Sequence, residues 1–297
     1  MAVVAVRQWS VIGLALALVA VMATGPAGAS SRSGQAIGIP AYWSAEDAPG
    51  WEMFEEVSYA TPTVDIVVVN GPHSAPPQPY SAATARAVRM LHREGATVLG
   101  YVDTGYLGRT GMTTTRVNPG STEIADWREQ IRQDAAVWFE LYGSAGLAGI
   151  FFDQTLSACG PEGGPDPDLY VDVYRELGEQ VQRRNRGALI AINPGTTVAE
   201  CYTDAADVIV IFENTYPVYQ EWAPPAWVYR HPETRFWHLV HGVGDVAQMR
   251  AAVALSRQRN AGYVYVTSHT ITEAGSPWNA LPDPAYWQAE LRAVSSD

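Results

Sequence analysis

The chain has 297 residues, 47% of them hydrophobic, with 19 basic and 31 acidic side chains and two cysteines; such a composition describes a globular protein and excludes a disordered tract or a disulfide-dense scaffold. All 19 basic residues are arginine, so a Schiff-base lysine, a pyridoxal-phosphate lysine and a Gly-Lys-Ser/Thr phosphate loop are ruled out. A formal charge of −12 repels phosphate backbones and anionic headgroups, and nucleic acid is not an expected partner.

Residues 1–29 begin with Arg7, continue through an apolar stretch at 11–23 and end in Pro26-Ala27-Gly28-Ala29. That order is a secretory signal peptide with a small-residue cleavage site near Ala29. The apolar stretch falls short of the roughly 20 residues of a membrane span, an uncleaved anchor being the alternative. No later stretch is apolar enough to span, so the expectation is a secreted, extracellular protein without stable membrane insertion. Residues 30–34 read as a flexible leader and residues 35–297 as a single domain, expected to be monomeric.

Eight apolar runs of strand length follow, at residues 36–43, 64–70, 97–103, 147–153, 188–193, 207–214, 235–242 and 262–269. They are nearly continuously hydrophobic and rich in β-branched and aromatic residues, as in parallel strands covered on both faces. Between them, residues 81–94, 122–142, 168–186 and 245–259 have helical spacing, and 284–294 closes the chain. Ser121-Thr122-Glu123 and Asp166-Pro167-Asp168 supply helix starts, and Gly95, Gly143 and Gly187 stand at helix ends. The connections after strands one, five and six are less regular; Pro224-Pro225 marks a loop replacing part of a helix. Eight strands alternating with helices predict a (β/α)8 TIM barrel of the α/β class. An open dinucleotide-binding sheet is the competing fold, and the Gly-x-Gly-x-x-Gly turn it needs is missing.

In such a barrel, chemistry sits at the carboxyl ends of the strands. The residues there are Tyr42 and Trp43, Asn70, Asp103, Asp153, Asn193, Glu213, His241 and His269. Asp153 and Glu213 each terminate an apolar strand, and burial beside apolar residues raises a carboxyl pKa, which suits a proton donor. Glycoside hydrolysis commonly uses two such carboxyls across one sugar bond. Strands four and six are two apart, so their inward residues can share one layer. Asp153 and Glu213 are therefore the catalytic candidates, against the plainer reading that they cap helices or accept loop hydrogen bonds.

Asp103 can equally form an Asx-type turn with Thr104-Gly105, and Asn70 and Asn193 precede Gly71 and Pro194-Gly195 and can be turn residues. His238, His241 and His269 can bind a hydroxyl or serve the core. The 10 Trp and 15 Tyr fall largely in loops, where ring faces stack on sugars or simply pack on the barrel rim. Tyr42, Trp43, Tyr101, Tyr106, Tyr216, Tyr219, Trp222, Trp227 and Trp278 are the candidate cleft rings. Cys159 and Cys201, each past a strand end, are expected to form a disulfide, two separate buried thiols being the alternative. Neither cysteine has a second cysteine or histidine at zinc-ligand spacing, so no metal is expected, and no cofactor is implied. The Gly-x-Ser-x-Gly and His-Glu-x-x-His patterns are missing from the sequence.

The runs Gly38-Ile39-Pro40-Ala41-Tyr42-Trp43, Leu99-Gly100-Tyr101-Val102-Asp103-Thr104-Gly105-Tyr106, Gly149-Ile150-Phe151-Phe152-Asp153 and Ile192-Asn193-Pro194-Gly195, in that order and spacing, resemble the spherulation-specific (spherulin-4-like) family over nearly all of the chain past the signal. The resemblance implies a (β/α)8 glycoside hydrolase acting inside microbial exopolysaccharides or cell-wall glycans with α-1,4-linked N-acetylgalactosamine or galactosamine. By position, Asp153 and Glu213 match the family's acids after strands four and six. Family members often carry a second acid directly after the first, where this chain has Gln154, an expected substrate contact that cannot exchange a proton. The expected roles are Asp153 as nucleophile or transition-state stabiliser and Glu213 as general acid/base. Asn193, Asp103 and the rings would orient the sugar. The reverse assignment and attack by a substrate N-acetyl group stay open. A secreted lectin-like barrel that binds polysaccharide without cutting it is the second reading, favoured by Gln154; a coat or scaffold protein is the third.

Overall fold

The computed structural model describes residues 34–61, 63–70, 79–271 and 275–296; the signal peptide read from residues 1–29 lies outside them, with most of the leader. Eight strands close into one parallel barrel in chain order, β1 pairing with both β2 and β8. They are β1 (Ala36–Ala41), β2 (Val64–Val69), β3 (Thr97–Asp103), β4 (Leu147–Asp153), β5 (Leu189–Asn193), β6 (Val208–Thr215), β7 (Phe236–His241) and β8 (Tyr263–Val266). The helices are α1 (Ala48–Tyr59), α2 (Ala82–Arg93), α3 (Ile124–Tyr142), α4 (Leu169–Arg184), α5 (Tyr216–Glu221), α6 (Val246–Gln258) and α7 (Pro284–Ser295). The (β/α)8 expectation holds.

The continuous apolar strands are buried because both faces are covered. Inside, the Phe151 ring of β4 meets Trp237 of β7, with centroids 5.7 Å apart. Outside, Trp138 of α3 lies so close to β3 that a Cβ on Gly100 would stand 2.4 Å from its ring. Trp138 also donates its indole N–H to the Tyr101 carbonyl at 2.6 Å, satisfying a group that burial would otherwise penalise.

The departures from the predicted pattern fall on the connections. Helix α1 was not among the expected helices; Asp47 caps it by accepting from the Gly50 N–H at 2.7 Å, and Pro49 stands in its first turn. Its Pro-Gly start breaks the apolar periodicity that Phe54 and Val57 carry. After β5 there is only the short 3₁₀ turn Glu200–Asp204, and after β6 the single-turn-and-a-half α5, in keeping with the irregularity expected there. The disulfide expectation also holds. Cys159 and Cys201 are bridged, with Cα atoms 6.1 Å apart, tying the β4–α4 loop to the β5–β6 loop. No helix among the described residues is long and apolar enough to cross a membrane.

Candidate active site

Strand register assembles the polar row. Asp153 pairs with Asn193 on β5 and with Asp103 on β3, so paired residues at the ends of three neighbouring strands are all polar. Glu213 reaches the same place by a different route. Val210 pairs with Trp237, whose ring crosses the barrel interior, but the next pairs are Phe212 with His238 and Glu213 with Leu239. One residue, Ile211, is therefore a bulge. Strict alternation would turn Phe212 inward and Glu213 out; the bulge reverses this. Phe212 instead packs outward on Tyr219 and Trp222, with centroids 4.6 and 4.9 Å away, and Glu213 faces the cleft.

Asn193 joins the two acids. Its Nδ2 donates to Asp153 Oδ1 at 2.9 Å and to Glu213 Oε2 at 2.6 Å, while its Oδ1 accepts the Gly195 N–H at 2.9 Å. That last bond fixes which end of the amide is nitrogen, since the backbone N–H needs an acceptor. The turn weighed for Asn193 is present, and the other end of the same amide joins the two acids. The facing carboxylate oxygens lie no farther apart than 2.9 and 2.6 Å laid end to end, within the separation of about 5–5.5 Å of a retaining pair and short of the ~6.5–9.5 Å of an inverting one.

Trp278 completes the Glu213 environment by donating its Nε1–H to Oε1 at 2.9 Å. Its carbonyl accepts the Tyr42 N–H at 3.1 Å, and its ring meets His241 edge-on at 5.9 Å. Burial pushes Asp153 above the usual carboxylate range, Glu213 opposite adds to the rise, and the Tyr101 hydroxyl and Gln154 backbone oppose it. Glu213 is also raised by burial, against the Asn193 and Trp278 donors. Two buried carboxyls facing each other retain a proton between them because both cannot ionise cheaply. Burial lowers the pKa of His241, leaving a neutral imidazole.

The cleft over this pair has a volume of about 1030 Å³, at the upper end of the ~300–1,000 Å³ of ligand pockets. The structure brings Tyr42, Trp43, Asn70, Tyr101, Tyr106, Gln154, His241 and Trp278 to its walls with the two acids and Asn193. Its described lining holds no arginine. Three expected contacts lie elsewhere. Asp103 turns back to accept the Gly105 N–H at 2.8 Å, the Asx-type turn weighed against its cleft role. His269 Nε2 bonds the Leu281 carbonyl at 3.0 Å, and Tyr216 is buried at the start of α5. Tyr219, Trp222 and Trp227 also leave the cleft. The first two pack around His238, whose Nδ1 meets the Tyr219 hydroxyl at 2.7 Å, and Trp227 packs on Phe236. Among the described residues no group of three or more metal-binding side chains comes together. Sequence reasoning counted Trp278 only as a stacking ring; its hydrogen bond to Glu213 depends on how the β8–α7 segment folds back.

A closed (β/α)8 barrel with a facing carboxyl pair at the carboxyl ends of its strands is the class that fold and site define. The chain belongs to spherulation-specific family 4, whose model matches residues 36–294. Sph3 of Aspergillus clavatus, solved in complex with GalNAc, is similar in fold, with a TM-score of 0.66, 21% identity, and 89% of this chain and 99% of that one covered. An endo-β-N-acetylglucosaminidase from Cordyceps militaris superposes with a TM-score of 0.51 at 11% identity, covering 89% of this chain and 92% of that one. The PgaB (BpsB) glycoside hydrolase domain from Bordetella bronchiseptica gives a TM-score of 0.50 at 14% identity, covering 77% and 93%. At these identities the likeness is one of fold. No curated protein matches the chain.

Proposed function

We propose that this chain is a secreted glycoside hydrolase that cuts within a microbial exopolysaccharide or cell-wall glycan containing α-1,4-linked N-acetylgalactosamine or galactosamine, with retention of configuration. The observation that carries the reading is the Asn193 bridge, which brings Asp153 and Glu213 together, closer than an inverting pair, in an open cleft. Neutral amides, hydroxyls and rings without an arginine suit an uncharged or amino sugar rather than a uronic acid or a phosphorylated one. Family membership and the likeness to Sph3 support the hexosamine assignment, and residues 1–29 support secretion.

In the proposed cycle the one proton that the pair retains is delivered through Glu213 to the glycosidic oxygen as that oxygen's bond to the anomeric carbon breaks. An Asp153 oxygen bonds that carbon, and Glu213 then takes a proton from the water that displaces it. Incubation with N-acetylgalactosamine/galactosamine polymers, followed by mass spectrometry of the products, tests the activity: shortened chains are expected, and Asp153→Asn should make none. Binding without fragments would favour the second reading, a polysaccharide-binding barrel, which the glutamine at 154 recommends because an amide cannot exchange a proton.

A further inference from the structure

Thr104 stands between the β3 and β4 strand ends and reads from sequence only as part of a turn. It is fully buried. Its backbone N–H donates to the Asp153 carbonyl at 3.0 Å, and its hydroxyl approaches both the Asp153 carbonyl at 2.9 Å and the Gln154 carbonyl at 2.8 Å. The Tyr174 hydroxyl lies 3.4 Å from Thr104 Oγ1 and accepts the Leu156 N–H at 3.1 Å. With its acceptor side so occupied, Tyr174 donates to Thr104, which leaves the single threonine proton to the two carbonyls.

What the hydroxyl grips is a strained piece of chain. Gln154 has φ 55°, and across from it Gly105, Tyr106, Leu107 and Gly108 all have φ between 48° and 75°. Side chains other than glycine adopt that region at a cost and persist there where surroundings enforce it, most often at functional sites. The two segments are latched together, since the Tyr106 N–H donates to the same Gln154 carbonyl at 2.8 Å. The Gly105 turn lies against Trp127, whose ring would stand 2.1 Å from a Cβ there. One segment carries Asp153 and the other carries the Tyr106 wall of the cleft.

We propose that Thr104 is a positioning residue: its hydroxyl clasps the Asp153 and Gln154 carbonyls, which holds the Asp153–Gln154 peptide beside the Asp153 carboxyl with Gln154 in the left-handed conformation and keeps Tyr106 next to it. The inference deepens the proposed hydrolase and rests on that reading for its catalytic consequence. The Gln154 backbone is one of the groups that hold Asp153 down against burial. The other groups facing Asp153 are Glu213 from β6, Asp103 and Tyr101 from β3, Tyr42 after β1 and Tyr106 after β3, with Arg116 near Asp103. Removing the hydroxyl leaves all of these in place, together with the Tyr106 and Thr104 N–H bonds, and takes one donor from the Asp153 and Gln154 carbonyls.

Thr104→Val keeps shape and removes the hydroxyl; Thr104→Ser keeps the hydroxyl. Two readouts are followed, the carboxyl ¹³C titration of Asp153, assigned by its loss in Asp153→Asn, and the kcat, KM and pH profile on the polymer. In Thr104→Val the Asp153 titration moves to higher pH and kcat falls about tenfold with KM changed less than about twofold. Thr104→Ser restores both, and Tyr174→Phe gives a smaller change of the same sign. An unmoved Asp153 titration in Thr104→Val overturns the inference, as does equal damage in Thr104→Ser, which would assign the effect to the methyl group. Should Thr104→Val not fold, an unmoved titration in Tyr174→Phe overturns it. A wild-type protein that cuts no polymer defeats the proposed function instead, and the titration still decides the role of Thr104.

Discussion

Two buried carboxyl sites in this barrel share one physical cause, burial, and stand in different surroundings. Glu290 of α7 is fully buried behind β8, accepts the Val266 N–H at 2.7 Å through Oε1, and is pushed far above the carboxylate range by burial. Its neighbours are the Tyr265 and Tyr286 phenols, and it is not among the residues that line the cleft over Asp153 and Glu213. Asp153 and Glu213 are raised in the same way, yet they face each other, share the Asn193 donor and line a cleft. Burial is thus enough by itself to raise a carboxyl pKa; a second carboxyl and an approach for substrate turn it toward chemistry.

The sharpest way to break that distinction is to exchange the consequences. Glu213→Gln should lose about 10³-fold in turnover on the polymer while its urea midpoint moves less than that of Glu290→Ala, since removal of the second acid is offset by an amide NH2 facing the Asn193 or Trp278 donor. Glu290→Ala should do the reverse, losing about 2–4 kcal/mol in urea unfolding through an unpaired Val266 N–H and a cavity, with kcat per folded molecule unchanged. Asn193→Ala removes the shared donor and should lower kcat about 10²-fold, a loss that Asn193→Asp would deepen by adding a third facing carboxyl.

A smaller effect isolates one hydrogen bond. Trp278→Phe deletes the indole donor to Glu213 and should lower kcat about tenfold. Since that donor holds the Glu213 pKa down, the variant's alkaline limb in kcat/KM should move to higher pH. The smallest effect is a slope. The folded-state pKa of Glu290 lies above its unfolded value of about 4.3, so the folded protein binds the extra proton. Its contribution is fully present below that unfolded value and is lost as pH rises toward the folded one. Glu290→Gln keeps an acceptor for Val266 and carries no charge. Its unfolding free energy relative to the wild type should therefore rise with pH above about 4.3, measured in urea series across pH; parallel curves would mean that Glu290 is not neutral in the fold.

How much of this was legible follows from what a sequence encodes locally. The eight apolar runs, the barrel they close, the two strand-end acids and the cysteine pair could be read directly, because continuous burial of a parallel strand leaves a run of β-branched and aromatic residues that ends where the polar mouth begins. Helix α1 hid behind its Pro-Gly start, and its Asp47 cap emerged only in the fold. Asp103 and Asn193 each offered a turn reading and a site reading. The structure gave Asp103 the turn and Asn193 the turn together with the link between the two acids, a choice made by which neighbours each amide or carboxyl can reach. Other decisions rest on contacts between distant segments: the Ile211 bulge that turns Glu213 inward, the Trp278 indole returning from beyond β8, and Thr104 closing on two carbonyls of the next strand. Hydrophobic patterning reports which residues leave water, and that is settled along the chain. Where a polar atom points once water is gone is settled by its partners, and those belong to other strands.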